Sequence, residues 1–498
     1  MLAGFFWMLG AAPLFDVDEG AFSQATLEMF QRGDFLSTYL NGQPRFDKPI
    51  LVYWLQAAFV FLLGPTEWAF RLPSAICGAL WAFMTYAFAK RTAGEEKALF
   101  AAVVLGASFG VFIIGRAATA DSLLNLLIAA AMFSAWLHLS TGKRGWLYAA
   151  HAAIGLGLLA KGPIAVLVPM AVTFLFCFFK KDLRTWARAV FDWRALLLLL
   201  AIAAPWYAAI LYKEGWAFVD GFILRHNVGR FGGPMQGHGG SLLYYFPALV
   251  LLTLPFTALL VPVVLRWREI WRDELQAYLL LWFAFVFVFF SLSGTKLPHY
   301  LLYGLTGLVL LMAAHAGAIR SAAWALLPPL LVLLAFLFLP QISDWTAPMH
   351  KDPYLRELVA TVHSLVNPAH YVTLGFFVAL TVYGMVERRF ATGAKLAAAG
   401  VLVALALSTL MVPLAGRLVQ APIRDAALYC KALGVEPVLW RLNAPSFSVY
   451  RGAPTAGREP RAGDVVVTRA RRLAELPAGM RYQLLHEKLG IAVVRILP

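Results

Sequence analysis

Residues 195–211 read ALLLLLAIAAPWYAAIL, seventeen positions without a charge. Such a run has no soluble solution unless it is wholly buried, and it comes close to the roughly 20 apolar residues that cross a hydrocarbon layer. It is not alone. Comparable runs occupy 2–15, 68–89, 98–115, 122–139, 146–159, 163–179, 241–265, 275–290, 301–314, 322–340, 371–386 and 396–413. The whole chain of 498 residues is 61% apolar and 14% charged, against about 45–50% and roughly 25% in soluble domains. This excludes a soluble enzyme, a disordered chain and an ordinary nucleic-acid binder. It predicts an α-helical polytopic membrane protein of about thirteen transmembrane helices. The run 50–64 is short and rich in aromatics, which predicts a helix lying in the interface rather than crossing it.

Charge supports that arrangement. With the N-terminus inside, the cytoplasmic loops carry 17 Lys/Arg in 53 residues and the outer loops 11 in 129, the asymmetry of the positive-inside rule. The expected division is a membrane domain over 1–414, with a first periplasmic loop at 16–67, and a small α+β domain over 415–498 on the outer side. That last segment has 13 Lys/Arg and 6 Asp/Glu, a balance that suits either anionic lipid or a solvated face. Cys77, Cys177 and Cys430 form neither a disulfide framework nor a metal pair.

The same topology gathers the unusual polar residues on one face. Asp16, Asp18 and Glu19 follow the first run, and Arg45, Asp47 and Lys48 precede the interfacial helix. Asp121 opens a span, Lys161 sits between two, and Arg225, His226, Arg230, Lys296, His299 and Tyr300 lie in later outer loops. Each has an ordinary explanation: Asp121 or Asp18 as a helix cap, Lys161 snorkelling, Tyr300 in an aromatic belt, the arginines on headgroups. Together they suggest a polar cavity, because ionisable groups at membrane depth are costly and mark function. Lys48, Lys161, Arg225, Arg230 and Lys296 suit a phosphate leaving group. Asp18 suits a general base or a stabiliser of positive charge at a sugar carbon. Asp47 with His226 suits a divalent cation, on two scattered ligands. The absence of a GxxxxGK[ST] loop points to a membrane-borne phosphate donor.

Pro13-Leu-Phe-Asp-Val-Asp-Glu19, Arg45-Phe-Asp-Lys-Pro49, Phe70-Arg-Leu-Pro73, Ala160-Lys-Gly-Pro163, His226-Asn-Val-Gly-Arg-Phe231 and Lys296-Leu-Pro-His-Tyr300 resemble, in this order, the lipid A 4-amino-4-deoxy-L-arabinose transferases of the protein O-mannosyltransferase-like superfamily. The resemblance spans the membrane part. It implies a GT-C fold with thirteen spans, outer juxtamembrane helices and a periplasmic C-terminal domain. It also implies an undecaprenyl-phosphate-type sugar donor and a lipid A or other lipopolysaccharide acceptor at the bacterial inner membrane. Asp18 and Asp121, with the adjoining Glu19, match the catalytic acids. Lys48, Lys161 and Tyr300 match residues around the donor phosphate, and Asp47, in the place of a family Glu, matches with His226 a pair that the resemblance implies holds a divalent cation, Zn. The chain departs from the pattern at Gly20-Ala21, where the arabinose transferases continue Thr-Arg, and at Arg45, where they carry Tyr; Arg45 is a substitute for the cation so lost. Protein O-glycosylation is the alternative within the superfamily. A transporter or lipid flippase is the alternative of another class; it predicts repeats and broken helices at the midplane.

Overall fold

The computed structural model describes residues 2–229, 239–477 and 479–498 and is mostly helical. Among them, seven helices are long and apolar enough to cross a membrane: Glu67–Ala93, Asp121–Thr141, Trp193–Glu214, Glu274–Leu292, Pro298–Ala318, Pro368–Val386 and Thr392–Ala432. An eighth is formed if Ala322–Leu337 and Leu339–Met349, bent by 65°, are one span. The remaining expected spans are shorter or interrupted. Run 98–115 breaks at Ser108, and run 241–265 breaks at Leu254, which precedes Pro255 and is held extended. Proline has no N–H and disfavours helix in the residue before it. The two breaks satisfy each other, the Phe109 N–H donating to the Leu254 carbonyl at 2.7 Å. The run 50–64 is a helix, Leu51–Leu63.

The first run, 2–15, is a correction. It is not a spanning helix but a single 3-10 turn, Leu2–Phe5, followed by turns and an irregular stretch. The carbonyls of Leu9, Ala12 and Pro13 are left without helical partners, and the Arg71 guanidinium takes all three.

Two helix pairs set the geometry of the end of the bundle where Asp121 and Lys161 lie. Asp121–Thr141 turns at Gly142 (φ 69°) into Arg144–Lys161, and the two pack along their length. Antiparallel helices of similar length return the chain to the level it left, so Asp121 and Lys161 meet although 40 residues separate them. Glu274–Leu292 and Leu302–His315 approach closely because Gly304 and Gly307 present no side chain. A Cβ on Gly307 would lie 2.7 Å from the Leu279 carbonyl oxygen, and one on Gly304 2.8 Å from Val286 Cβ. Small residues play this part in membrane helix packing.

The C-terminal part differs from expectation at its boundary. A continuous helix runs from Thr392 to Ala432, 41 residues, through π turns at Leu407–Met411 and Gly416–Gln420. At 1.5 Å per residue it is about 60 Å long, twice the hydrocarbon thickness, so position 414/415 falls inside one helix rather than between two units. Beyond it stands a four-stranded sheet in the order β3 (Pro437–Leu439), β4 (Val465–Arg469), β6 (Ile491–Ile496), β5 (Tyr482–Lys488). A short hairpin, β1 (Tyr39–Leu40) with β2 (Gln43–Pro44), lies between the helices Asp18–Arg32 and Leu51–Leu63. β3 and β4 pair in parallel and the other neighbours antiparallel. Val465 and Val467 face Phe447 and Ile423, while Val466 faces Trp440 and Val494. The central strand is therefore buried on both sides, which its unbroken valines require.

Candidate active site

Asp121 is the first residue of its helix and Lys161 the last of the next. A carboxylate at a helix start and an ammonium at a helix end both complement the peptide dipoles. Lys161 Nζ forms an ion pair with Asp121 Oδ1 and donates to the Tyr303 hydroxyl at 2.8 Å. Tyr303 in turn donates to Asp121 Oδ1 at 3.3 Å, and His299 Nε2 lies 3.8 Å from the same oxygen. The Asp121 side chain caps nothing, and the Lys161 side chain is only 10% exposed. The capping and snorkelling explanations therefore both lapse. Tyr300 is buried, its ring 4.7 Å from that of Phe290 and 5.0 Å from that of His299; it is part of this cluster and not of an interfacial belt.

The acid motif divides its roles. Glu19, expected among the catalytic acids, is a structural group. Its Oε1 accepts from Arg71 Nε at 2.8 Å and from the Ala118 N–H at 2.7 Å. Its Oε2 accepts from an Arg71 terminal nitrogen at 2.7 Å and from the Phe15 N–H at 2.8 Å. Burial alone would raise its pKa, but the Arg71 guanidinium and the two N–H groups outweigh that and hold it below the usual carboxylate range. A side chain 4% exposed with four donors has nothing left for a substrate. Asp18, by contrast, is exposed in the first turn of Asp18–Arg32, where the N-cap position belongs to Val17. Its charge is felt at Arg45 and at His299, so it stands within electrostatic reach of the Asp121 cluster. Asp16 accepts from both the N–H (2.8 Å) and the hydroxyl of Ser446. Burial pushes its carboxyl up to about 7, against the two Ser446 bonds and with help from Glu19. Between about 4 and about 7 the folded chain then keeps a proton the unfolded chain has lost, so this group favours folding less as pH rises through that window.

Lys48 Nζ donates to the Asp47 carbonyl at 2.9 Å, and its charge acts on both Asp121 and His299. Arg45 faces Asp47 at 3.3 Å and lies over the Phe22 ring at 5.3 Å. Burial would lower its pKa, but Tyr53, Asp47 and Asp18 together raise it. Of the two residues expected to hold a cation, only Asp47 has a described side chain. No group of three His, Cys, Asp or Glu converges among the described residues, and the Asp47 carboxylate faces a guanidinium that repels a metal ion. The His226 side chain and Arg230 lie outside the described residues.

Two expected phosphate contacts are placed otherwise or apart. Lys296 is buried and donates to the Ser291 and Ser293 carbonyls at 2.9 and 2.6 Å, holding its own loop. Arg225 is exposed on the π turn Val219–Val228. Three site residues went unassigned in the sequence. Arg71 and His299 stand inside quoted motifs, and Tyr303 follows Tyr300 by three residues, the spacing that shares a helix face.

The sequence family described as dolichyl-phosphate-mannose-protein mannosyltransferase matches residues 47–208. An undecaprenyl phosphate-alpha-4-amino-4-deoxy-L-arabinose arabinosyl transferase of Serratia proteamaculans is 31% identical over 342 residues, covering 64% of this chain and 60% of the relative. The enzyme of that name from Pseudomonas aeruginosa is 32% identical over 313 residues, 60% of this chain and 55% of its own. The chain thus spans about three fifths of the length of these curated relatives. Among solved structures, ArnT from Cupriavidus metallidurans bound to undecaprenyl phosphate superposes with a TM-score of 0.85 at 18% identity, covering 99% of this chain and 96% of that one. Its apo form gives 0.80 at 20% identity, with the same coverage. The fold is therefore the ArnT-like GT-C fold, in a multi-pass membrane chain with a small C-terminal sheet.

Proposed function

We propose that this chain is an integral-membrane glycosyltransferase. It moves a sugar from a polyprenyl phosphate to lipid A or another lipopolysaccharide component at the periplasmic face of the bacterial inner membrane. The observation that carries the reading is the convergence of Asp121, Lys161, His299 and Tyr303 at one end of the bundle, with the charges of Asp18 and Lys48 within electrostatic reach. The fold they stand on is that of a protein crystallised with undecaprenyl phosphate.

In this reading an acceptor oxygen forms a bond to the sugar C1 as the bond between C1 and the phosphate oxygen breaks, and the phosphate leaves with that bond's electron pair. Lys48 meets the charge that grows on it. Asp121 and Tyr303 hold the Lys161 ammonium at a fixed place, leaving it a donor toward the same phosphate, and Tyr300 walls the site. Asp18 takes the proton of an acceptor hydroxyl or, if the acceptor is an ionised phosphate, stabilises the positive charge developing at C1. A Zn ion held by Asp47 and His226 would require the Arg45–Asp47 ion pair to open, and the steps above are written with this chain's own residues.

The test is transfer by the purified protein in detergent, with a polyprenyl-phosphate sugar and lipid A, read by mass spectrometry. The expected product is lipid A heavier by one sugar. Lys48→Ala is expected to lower turnover about 10²–10³-fold, the usual loss when one electrostatic stabiliser is removed. Normal turnover in that variant removes Lys48 from the site. Sugar transferred to a protein acceptor instead would favour the description carried by the match over 47–208, and transport without transfer would overturn the reading. For orientation, reporter fusions at Gly42 and Gly463 are both expected to read periplasm; a cytoplasmic signal from either rejects that topology.

A further inference from the structure

The loop that delivers Asp18 is not held by the membrane helices alone. Residues 14–16, just ahead of it, are held by the chain's own C-terminal stretch. The Leu14 N–H donates to the Tyr450 hydroxyl at 2.7 Å, and that hydroxyl donates to Glu67 at 3.0 Å. The Gln420 amide, oriented to satisfy both its ends, donates to the Leu14 carbonyl at 3.2 Å and accepts from the Asp16 N–H at 3.1 Å. Ser446 gives both its N–H and its hydroxyl to the Asp16 carboxylate.

Contact is close enough to dictate a residue type. A Cβ on Gly20 would stand 2.2 Å from Asp16 Oδ1 and 2.4 Å from the Ser446 nitrogen. Only glycine lets the short helix Pro445–Arg451 lie on the first turns of Asp18–Arg32. The sequence quoted above as a departure, Gly20 after Asp18-Glu19, is thus the place where the C-terminal part reaches the acid motif. A second anchor on the same helix goes elsewhere: Ser448 donates to Asn41 Oδ1 at 2.7 Å, by the β1–β2 turn.

We propose that Ser446, acting through Asp16, is a positioning residue for Asp18, so that the C-terminal part of the chain completes the active site instead of merely covering it. This rests on the glycosyl-transfer reading. The contacts fix the backbone two residues before Asp18, and misplacing a catalytic group by about 1 Å costs on the order of 10²-fold in rate. The donor phosphate is met by other residues, on other segments.

The experiment compares kcat and donor KM for Ser446→Ala, Asp16→Ala, Asp16→Asn and Ser448→Ala, each with a melting curve in detergent. Ser446→Ala and Asp16→Ala are expected to lose roughly 10-fold or more in kcat with donor KM unchanged, within the range set by such displacements. Asp16→Asn is expected to retain most of kcat, since its oxygen accepts from the Ser446 N–H and its amide donates to the Ser446 hydroxyl. Ser448→Ala is the stability control and is expected to keep wild-type kcat. Equal kcat losses in Ser446→Ala and Ser448→Ala would reduce the contact to general stability and overturn the proposal, as would an unchanged kcat in Ser446→Ala. A dead Asp16→Asn would make Asp16 a catalytic group in its own right, again against positioning. Failure of the wild-type protein to transfer any sugar would fall on the function reading itself, and a wild-type signal separates the two.

Discussion

Asp18→Asn is expected to lower sugar transfer by at least about 10²-fold, the lower end of what a positioned proton-transferring group contributes, while the protein folds and binds donor normally. The reason for the split lies in where the side chain stands. Asp18 is exposed, and the N-cap position of its helix is Val17, which makes no side-chain cap bond. A carboxylate in a first helical turn is worth only about 0.3–1 kcal/mol of dipole interaction, so loss of its charge leaves the fold intact. Its electrostatic neighbours are Arg45 and His299, and His299 adjoins Asp121. Asparagine keeps the shape and removes the charge, whether that charge takes a hydroxyl proton or steadies C1. The check is single-turnover transfer beside donor binding on the same preparation. Near-normal transfer by Asp18→Asn would sink the assignment for either kind of acceptor.

Arg71→Ala is expected to destabilise the fold by about 3–5 kcal/mol, the cost of breaking a buried ion pair by removing one partner. All five guanidinium N–H groups are in use: two on Glu19 and three on the carbonyls of Leu9, Ala12 and Pro13. Without it Glu19 becomes a buried charge with only two N–H donors, and three carbonyls of the irregular N-terminal segment lose their partner. Arg71→Lys is expected to rescue little, because an ammonium carries three donors on one nitrogen and does not reproduce the planar fork. Thermal unfolding in detergent and protease sensitivity of the first 20 residues read the effect. A variant that melts like the wild type would show that this segment is held some other way.

Membrane residence, the mainly helical class, the short helix near 50–64 and the location of the acid and lysine motifs were all legible in the sequence. Each follows from a local property. A run of apolar residues fits hydrocarbon wherever its neighbours go, and a turn of Pro, Gly and charge ends it. What tertiary structure alone decided is which polar groups are spent on the fold and which are brought together at one end of the bundle. Asp18 and Glu19 are adjacent and chemically alike, yet a helix turn sends one outward and the other into four hydrogen bonds, with partners 52 and 99 positions away. Lys161 and Lys296 look equivalent as outer-face lysines. One is returned by an antiparallel helix pair to Asp121, and the other folds back onto its own loop carbonyls. Tyr303 reads as one more aromatic in a span until Asp121 and Lys161 arrive beside it. The spacing of a motif states which residues travel together. Whether a charged side chain is spent on the fold or left for a substrate depends on donors and acceptors that the chain brings from far away, and those are fixed only when the helices pack.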